Sequence, residues 1–400
     1  MRILDVSPRV VYPPRRGSAV RTYNLLRQLS VGHEVQQFSQ TDEFAFRQSV
    51  MRRFLAPNYS EYCYAHPLAW AAVRSGQRPF LGGAPVLSGI ALKASQPSLL
   101  RRLLRWADVV LVEFPWQFDH CWRHRPKGPL VLASHNVEAM KFASWGEAAG
   151  VSSMNARKLR YITRLEERAA TRADLVLTVS AADRSQLIER YQLEPGRVIV
   201  IANGADTSSQ TRATPDSKRA AKRTLGLPDK PTAIFVGSNI PPNRRGLDWI
   251  ERLGKQTDRF TFLVVGAVAA EKPTGQNIVT TGLVEDLDRY LEAADIAICP
   301  IEHGSGTKIK LLESLAAGLP TVAFAAALDG TDARDGVHAL VAGTSEAGLL
   351  SALNCLADDP DLSSAIGHAA RQLARERYDW RTIAQQLEHH LLHLVDRGAP

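Results

Sequence analysis

The sequence has few cysteines and no long apolar run. Its 400 residues include four cysteines, Cys63, Cys121, Cys299 and Cys355. None of them forms a Cys-x-x-Cys pair, so neither a zinc knuckle nor a dithiol redox motif is indicated. No stretch reaches the ~18 uninterrupted apolar residues of a membrane span, and the strand-like first residues leave no room for a signal peptide. These features predict a cytoplasmic protein in a reducing compartment.

Two binding motifs are also missing. No Gly-x-Gly-x-x-Gly follows the first strand-like run, where Gly17 comes only after Pro8, Pro13 and Pro14, and this argues against a dinucleotide-binding oxidoreductase. No recognised reader motif for nucleic acid is present, and the arginines are scattered over several predicted helices, so we expect no nucleic-acid partner. We also expect no divalent cation at the candidate site, because no Asp-x-Asp metal motif is assigned to it.

The two halves of the chain carry opposite charge. Residues 1–180 contain 25 Lys and Arg against 13 Asp and Glu, a net charge of +12, whereas the rest contains 24 against 28, a net charge of −4. A basic half is typical of proteins that bind an anionic substrate, an anionic lipid or nucleic acid. Solvated basic helix faces explain the same count equally well.

Short β-branched runs alternate with amphipathic stretches along most of the chain. This alternation predicts an α/β protein whose parallel sheets are covered on both faces. The length favours two domains, which we expect to be two Rossmann-like units. The predicted strands are Arg2–Ser7, Val109–Glu113, Leu130–Ser134, Leu175–Ser180, Val198–Ala202, Ala233–Gly237, Phe260–Val265, Ile278–Thr281, Ile296–Pro300 and Thr321–Phe324.

Helix and linker signals suggest where the domains meet. The pattern predicts helices over 157–173 and 181–191, the second after Ser180 as N-cap. The composition then shifts near residue 203 to Asn, Gly, Ser, Thr and Pro. We therefore expect an amino-terminal domain over 1–203 and a carboxy-terminal domain over 204–379, with a last helix over 380–397 that packs back on the first domain.

The densest group of candidate residues follows the predicted strand that ends at Pro300. A loop of small residues, Gly304-Ser305-Gly306-Thr307, precedes a helix predicted to begin near Thr307. Backbone N–H groups of such a loop and of a helix amino terminus together suit a diphosphate. Lys308 or Lys310 can add a cation for a leaving nucleoside diphosphate.

Glu313 lies about two turns into the predicted helix, on the face that it shares with Lys310 three residues earlier. A carboxylate there can accept hydrogen bonds from both hydroxyls of a ribose. The alternative is an ordinary i, i+3 ion pair between Glu313 and Lys310 on a solvent-exposed helix surface.

Several ordered motifs resemble the large retaining glycosyltransferase group with the GT-B fold (group 1, family 4-like). Residues 282–323 resemble its carboxy-terminal signature, and the resemblance spans nearly the whole chain. Each motif alone is weak, whereas their order and spacing together are specific. The other matching segments are Gly17-Ser18, Ser134-His135-Asn136-Val137-Glu138, Val179-Ser180-Ala181-Ala182-Asp183, Val200-Ile201-Ala202-Asn203-Gly204-Ala205-Asp206 and Phe235-Val236-Gly237-Ser238 with Pro242-Asn243.

The resemblance implies roles at the matching positions. Glu313 corresponds to the second of two glutamates eight residues apart and is expected to bind the donor ribose. The first glutamate is replaced by Ser305, so backbone amides of residues 305–307 are expected to take over part of its function, with Glu302 a weaker substitute.

The same resemblance implies further donor-site residues. Ser238 stands at the usual position of an arginine, and Arg244 or Arg245 matches a lysine that holds the diphosphate. Gly237 belongs to the same loop, and Gly17 and Ser18 match a small-residue loop near the donor phosphate. His135 is expected to contact the donor sugar or the reacting centre, unless it is a structural histidine, as polar residues after strands sometimes are. The expected catalytic residues are thus His135, Arg245 and Lys308.

The implied fold is GT-B, with two Rossmann-like domains facing a central cleft. The implied reaction is metal-independent, retaining front-face transfer of a sugar from a UDP-, GDP- or ADP-sugar co-substrate, with no other cofactor. The expected acceptor is a glycan, a lipid-linked glycan or a small molecule. Basic segments at Arg52–Leu55 and Arg101–Trp106 suggest peripheral contact with an anionic membrane. A GT-B nucleotide-sugar epimerase and a catalytically degenerate scaffold remain as alternatives.

Overall fold

The fold is described from a computed structural model that covers residues 1–41, 47–75, 86–124, 127–148, 153–208, 214–270, 275–303 and 306–398. The chain divides into two compact units, each with its own sheet. Unit 1 comprises Met1–Ala202 and Ile383–Pro400, and unit 2 comprises Asn203–Thr382. The α/β class predicted from the alternation of apolar runs is confirmed.

Unit 1 contains an eight-stranded sheet in the order β3-β4-β2-β1-β5-β6-β7-β8. All neighbouring strands are parallel except β3 and β4, which are antiparallel. The strands are β1 Arg2–Ser7, β2 Glu34–Gln40, β3 Ser49–Ala56, β4 Tyr59–Ala65, β5 Val109–Glu113, β6 Leu130–Ala133, β7 Leu175–Thr178 and β8 Val198–Val200. The helices are α1 Gly17–Leu29, α2 Pro67–Ser75, α3 Ser88–Ser95, α4 Ser98–Trp106, α5 Phe118–Arg123, α6 Glu138–Ala148, α7 Ser153–Arg172 and α8 Ala181–Tyr191.

Unit 2 contains a six-stranded sheet that is parallel throughout, in the order β11-β10-β9-β12-β13-β14. The strands are β9 Thr232–Val236, β10 Thr261–Val265, β11 Ile278–Gly282, β12 Ile296–Cys299, β13 Thr321–Ala323 and β14 Leu340–Val341. The helices are α9 Pro215–Thr224, α10 Pro241–Gln256, α11 Asp288–Ala293, α12 Ile309–Ala316, α13 Ala325–Leu328, α14 Glu346–Asp358 and α15 Pro360–Arg377.

The last helix, α16, runs from Trp380 to Gly398 and belongs to unit 1 from Ile383 onward. Its apolar side chains Leu387 and Leu391 are buried. Glu388 forms an ion pair with His33, with 2.6 Å between Oε1 and Nε2. These contacts give the physical basis for its place in unit 1.

Four strands were not predicted from the sequence, namely β2, β3, β4 and β14. The sequence of β2, Glu-Val-Gln-Gln-Phe-Ser-Gln, has no apolar run, and its polar residues Gln37, Ser39 and Gln40 are buried. Gln37 and Ser39 bond to side chains on the neighbouring strands β1 and β4, and Gln40 accepts a hydrogen bond from Gln117 in the segment after β5. β3 is an exposed edge strand and β14 has only two residues. Hydrophobic pattern therefore identifies strands with apolar interiors and misses those that are polar, short or at an edge.

Helix α4 is the amphipathic element of the basic segment Arg101–Trp106. Leu100, Leu103 and Leu104 are buried in the core of unit 1, whereas Arg102 and Arg105 are exposed. The leucines therefore stabilise the core, and the exposed arginines are available for contact with a partner. Among the described helices, none is long and apolar enough to cross a membrane.

Candidate active site

Strand order brings two candidate segments of unit 2 together. β9 and β12 are neighbours in a parallel sheet, so the segments that follow their carboxyl ends lie side by side. One segment leads from Gly237 into α10, and the other leads from Pro300 into α12. This edge is where ligands bind in open parallel α/β sheets.

The small-residue loop before α12 is described in part. Gly304 and Ser305 lie outside the described residues, so their predicted roles stay predictions. Gly306 has φ of +72°, a left-handed conformation that glycine adopts at little cost. Lys308 is largely buried and donates from Nζ to the Gly306 carbonyl at 2.9 Å. This contact turns the lysine back onto its own loop.

Thr307 is fixed by a residue from the start of unit 2. The Asn203 side chain is buried and donates to Thr307 Oγ1 at 3.1 Å and to its carbonyl at 3.4 Å. The resemblance pointed to the segment around Asn203 but gave that side chain no role. The tertiary structure shows that it supports the loop before α12.

Helix α12 begins at Ile309, two residues later than the sequence suggested, with Lys308 at the N-cap. No side chain accepts a hydrogen bond from its first turn, and no acidic residue lies there. Its first N–H groups and the positive end of the helix dipole therefore favour an anion.

Lys310 is half-buried and joins the two segments of the site. Its Nζ donates to Asn243 Oδ1, and it lies 5.0 Å from the centre of the Phe235 ring. Asn243 in turn donates from Nδ2 to the Ser238 carbonyl at 2.7 Å and to Ser238 Oγ at 3.1 Å. Burial lowers the pKa of Lys310 to about 8, although Cys299 and Glu313 oppose the shift. Asn243, which sequence analysis did not assign to the site, thus connects two predicted residues.

Glu313 is half-buried on the same helix. Burial and the nearby Asp288 raise its pKa to about 7, with Lys310 opposing the shift. Among the described residues, no ion pair joins Glu313 to Lys310, whose amine contacts Asn243 instead. The alternative of a solvent-exposed ion pair between Glu313 and Lys310 is therefore wrong. Glu313 is thus a half-buried carboxyl group with a raised pKa, an environment that is frequent at functional sites.

The remaining candidates of unit 2 are not gathered around Lys310. Arg244 and Arg245 are exposed in the first turn of α10, and Arg244 donates from Nε to Asn239 Oδ1 at 2.7 Å. Glu302, the suggested substitute for the missing glutamate, accepts a hydrogen bond from Trp249 at 3.0 Å. A side chain at Gly237 would lie 2.9 Å from Val268 Cγ1. The glycine is thus required for close packing, whatever its part in binding.

Two Asp-x-Asp spacings occur in unit 2, at Asp286 to Asp288 and at Asp359 to Asp361. Asp286 accepts a hydrogen bond from the Asp288 amide at 3.0 Å, and Asp359 caps α15 by accepting from the Leu362 amide at 2.9 Å. Among the described residues, no group of three or more His, Cys, Asp or Glu side chains could hold a metal ion. Asp286 and Asp359 thus accept backbone hydrogen bonds at the starts of α11 and α15.

The candidates of unit 1 lie on two elements. Gly17 and Ser18 begin α1, whose first turn has no side-chain cap and no acidic residue, as expected for an anion-binding terminus. Arg21 on α1 is buried and donates to the carbonyls of Ile201 and Ala202, at 2.7 and 2.6 Å. The start of α1 is thereby fixed to the segment after β8.

His135 follows β6 and is buried. Its Nε2 hydrogen-bonds with Glu113 at the end of β5, and the Phe114 ring stacks on it with 4.3 Å between ring centres. Sequence analysis did not assign Glu113 to the site. A charged residue at the carboxyl end of an otherwise apolar strand was the available signal.

Comparison with known proteins gives the class. Residues 15–209 match the family model for Glycosyltransferase Family 4, and residues 230–359 match the model for Glycosyl transferases group 1. The chain belongs to this group of glycosyltransferases.

Individual relatives agree with this assignment. The D-inositol 3-phosphate glycosyltransferase of Geodermatophilus obscurus is 28% identical in an alignment of 267 positions that covers 61% of this chain and 57% of that protein. The match thus spans less than two thirds of that relative's length.

Two solved structures are similar in fold. Sucrose-phosphate synthase from Thermosynechococcus elongatus has a TM-score of 0.75 at 16% identity, with 99% of this chain and 100% of that chain covered. HepE from Anabaena, solved with UDP and glucose, has a TM-score of 0.69 at 16% identity, with 98% and 100% covered. The shared fold is GT-B.

The raised pKa of Glu313 predicts a pH-dependent stability difference. The pKa of Glu313 in the folded protein, about 7, exceeds the ordinary value of 4.5, so ionisation of this carboxyl group destabilises the fold. This destabilisation is absent below about pH 4.5 and complete above about pH 7. Glu313→Gln removes this destabilisation. Its Tm relative to the parent protein should therefore rise as the pH of thermal melts is increased from about 5 to 8.

The exposed Glu292 of α11 provides the matched control, since Glu292→Gln also removes one negative charge. An equal, pH-independent Tm difference for both variants would contradict the assignment of an unfavourable charge to Glu313.

Proposed function

We propose that the chain is a glycosyltransferase that binds a nucleoside-diphosphate sugar in unit 2. Two features of α12 support this proposal most directly. Its amino terminus is uncapped and lies beside Lys310, and Glu313 is half-buried without an ion-pair partner among the described residues. The helix terminus and lysines suit the diphosphate, and the carboxylate suits the ribose hydroxyls. The family assignment supports this reading.

The proposed reaction is front-face transfer with retention of configuration. The departing phosphate oxygen helps to deprotonate the acceptor, while Lys310, Lys308 and the first amides of α12 stabilise the charge that develops on it. Lys310 remains largely protonated at neutral pH because its pKa is about 8, and a bound diphosphate would favour that form further. In this proposal the cationic side chains stabilise the charge on the departing phosphate, as a divalent cation does in metal-dependent enzymes.

The proposed acceptor is an anionic or lipid-linked glycan, or a sugar phosphate. The name of the Geodermatophilus relative includes an inositol phosphate, and residues 1–180 of this chain carry a net charge of +12. Because the leucines of α4 are buried, membrane contact through this helix would be electrostatic, through the exposed Arg102 and Arg105. The proposed location is the cytoplasmic face of a membrane, where the four free cysteines would stay reduced.

A donor screen tests the activity. Thermal melts with UDP-, GDP- and ADP-sugars should show a Tm increase with one nucleotide class, because a ligand that binds only the folded state stabilises it. Glu313→Ala should weaken donor binding by about 10-fold or more, as expected for loss of hydrogen bonds to two hydroxyls. Glu292→Ala is the matched control on a neighbouring helix. No binding to any donor would contradict transfer, and release of an epimerised sugar would identify an epimerase.

The stereochemistry and metal dependence have a separate test. NMR of the first-formed product should show the anomeric configuration of the donor, and EDTA should leave the rate within about 2-fold of the untreated protein if no divalent ion takes part. An inverted anomer would contradict front-face retention. A rate abolished by EDTA and restored by Mg²⁺ or Mn²⁺ would contradict the metal-independent mechanism.

Vesicle co-sedimentation tests the membrane proposal. Binding to vesicles with anionic lipids should exceed binding to phosphatidylcholine vesicles and fall with added salt, because charges near the surface are screened. The double variant Arg102→Glu/Arg105→Glu should lower it by at least about 10-fold, at ~1 kcal/mol for each basic residue.

The double variant Arg223→Glu/Lys255→Glu has the same charge change on exposed residues of unit 2 and is the matched control. An equal loss of vesicle binding in both double variants, or no salt-sensitive vesicle binding by the parent protein, would contradict a specific role for α4.

A further inference from the structure

A chain of buried polar side chains crosses unit 1. Tyr59 on β4 donates its hydroxyl to Gln37 Oε1 at 2.6 Å, and Gln37 on β2 donates from Nε2 to Asp5 Oδ1 at 2.8 Å. Asp5 on β1 is close enough to Glu113 on β5 for the charge of Glu113 to act on it, and Glu113 hydrogen-bonds with His135 after β6. The chain passes over five adjacent elements of the sheet and ends at a residue of the candidate active site.

The position of the proton on Asp5 follows from its partners. Oδ1 already accepts a hydrogen bond from Gln37, whereas Oδ2 is buried and receives none from any described donor. Burial and the adjacent charge of Glu113 raise the pKa of Asp5 well above its ordinary range. Two buried carboxylates in contact do not both ionise. A proton on Oδ2 would satisfy this oxygen and allow Asp5 to donate a hydrogen bond to Glu113.

Glu113 is the anion of the pair. Burial alone would raise the pKa of Glu113, but His135, the nearby Arg21 and the hydrogen bond from Asp5 together lower it. An ionised carboxylate can only accept hydrogen bonds. The hydrogen between Glu113 and His135 must therefore belong to Nε2 of the histidine.

The orientation of the His135 ring is fixed as well as its hydrogen. Phe114 stacks on the imidazole with an angle of 18° between the ring planes. Phe114 itself has φ of +67°, an uncommon conformation for a bulky residue that the surrounding structure must hold. With Nε2 committed to Glu113, Nδ1 is the ring nitrogen that remains for another partner.

We propose that Glu113, supported by Asp5, is a positioning residue that fixes the tautomer and orientation of His135 so that Nδ1 accepts a hydrogen bond from a substrate hydroxyl. Carboxylates that orient a functional histidine in this way are common behind metal-bound and catalytic imidazoles. The substrate contact rests on the proposed transferase function. The tautomer itself depends only on the chain from Asp5 to His135.

Nitrogen NMR of histidine-labelled protein tests the tautomer. At about pH 9, above the ordinary pKa of histidine, the His135 signals should be those of the Nε2–H form. The His135 signals are identified as the ones that disappear from the spectrum of His135→Gln. In Glu113→Gln the amide can either accept from or donate to the ring, so an Nδ1–H population should appear. An Nδ1–H form in the parent protein, or no change in Glu113→Gln, would overturn the proposal.

Glu61 provides a matched control for loss of a buried carboxylate. It accepts from Ser39 at 2.8 Å and from the Val11 amide at 2.7 Å, and it lies outside the chain to His135. Glu61→Gln should leave the His135 tautomer unchanged. A tautomer shift equal to that of Glu113→Gln would show a general packing effect and overturn the specific role of Glu113.

A double-mutant cycle tests whether Glu113 acts through His135. Glu113→Gln should lower kcat/KM by about 10- to 100-fold, the usual range for loss of an orienting carboxylate. In the His135→Ala background the same change should cost less than about 2-fold, because residues that act as a unit are not additive. A full, additive loss in that background would overturn the proposal.

Asp5 variants complete the test of the proton's position. Asp5→Leu should lower kcat/KM as Glu113→Gln does, and Asp5→Asn should restore most of it, because an amide can both donate to Glu113 and accept from Gln37. An Asp5→Asn variant as impaired as Asp5→Leu would place the charge on Asp5 and overturn the assignment. If the parent protein transfers no sugar, the proposed function fails, and the tautomer measurement still decides the role of Glu113.

Discussion

Burial of both faces of two parallel sheets is the constraint on which the rest of this structure depends. Strands such as β5, β7, β10 and β12 are buried at every residue, so their middle positions accept few charges without a partner. The polar groups of the candidate site are therefore placed where strands end and helices begin. Glu113 and His135 in unit 1, and Asn243 and Lys310 in unit 2, occupy such places.

Two charged side chains that are removed from solvent are held by defined partners. Lys310 is tied to Asn243, and Glu113 is held among Asp5, Arg21 and His135. Breaking one member of a buried charged pair leaves the other uncompensated, which is costly. These arrangements restrict each side chain to one orientation. The same restriction pre-organises a site, because the groups need little rearrangement when a charged ligand arrives.

How far the site could be predicted depended on whether its residues are close in sequence. Lys310 and Glu313 lie within one helix, so their shared face followed from the helical period. The partners of other site residues are distant in sequence: Asn243 is 67 residues from Lys310, Asn203 is 104 residues from Thr307, and Glu113 is 22 residues from His135. No local pattern carries that information. Strand order decides it, because neighbouring strands bring distant loops to one edge of a sheet.

By itself the sequence determined the α/β class, the positions of the strands with apolar interiors and the chemistry of the segment before and within α12, because hydrophobic period and small-residue loops are local properties. Only the tertiary structure decided the polar strand β2 and the burial of the α4 leucines in the core. It also decided which carboxyl groups have raised pKa values, among them Asp5, Glu166 and Glu313. The reason is physical: the energy of a polar or charged side chain depends on its burial and on partners that the fold brings to it.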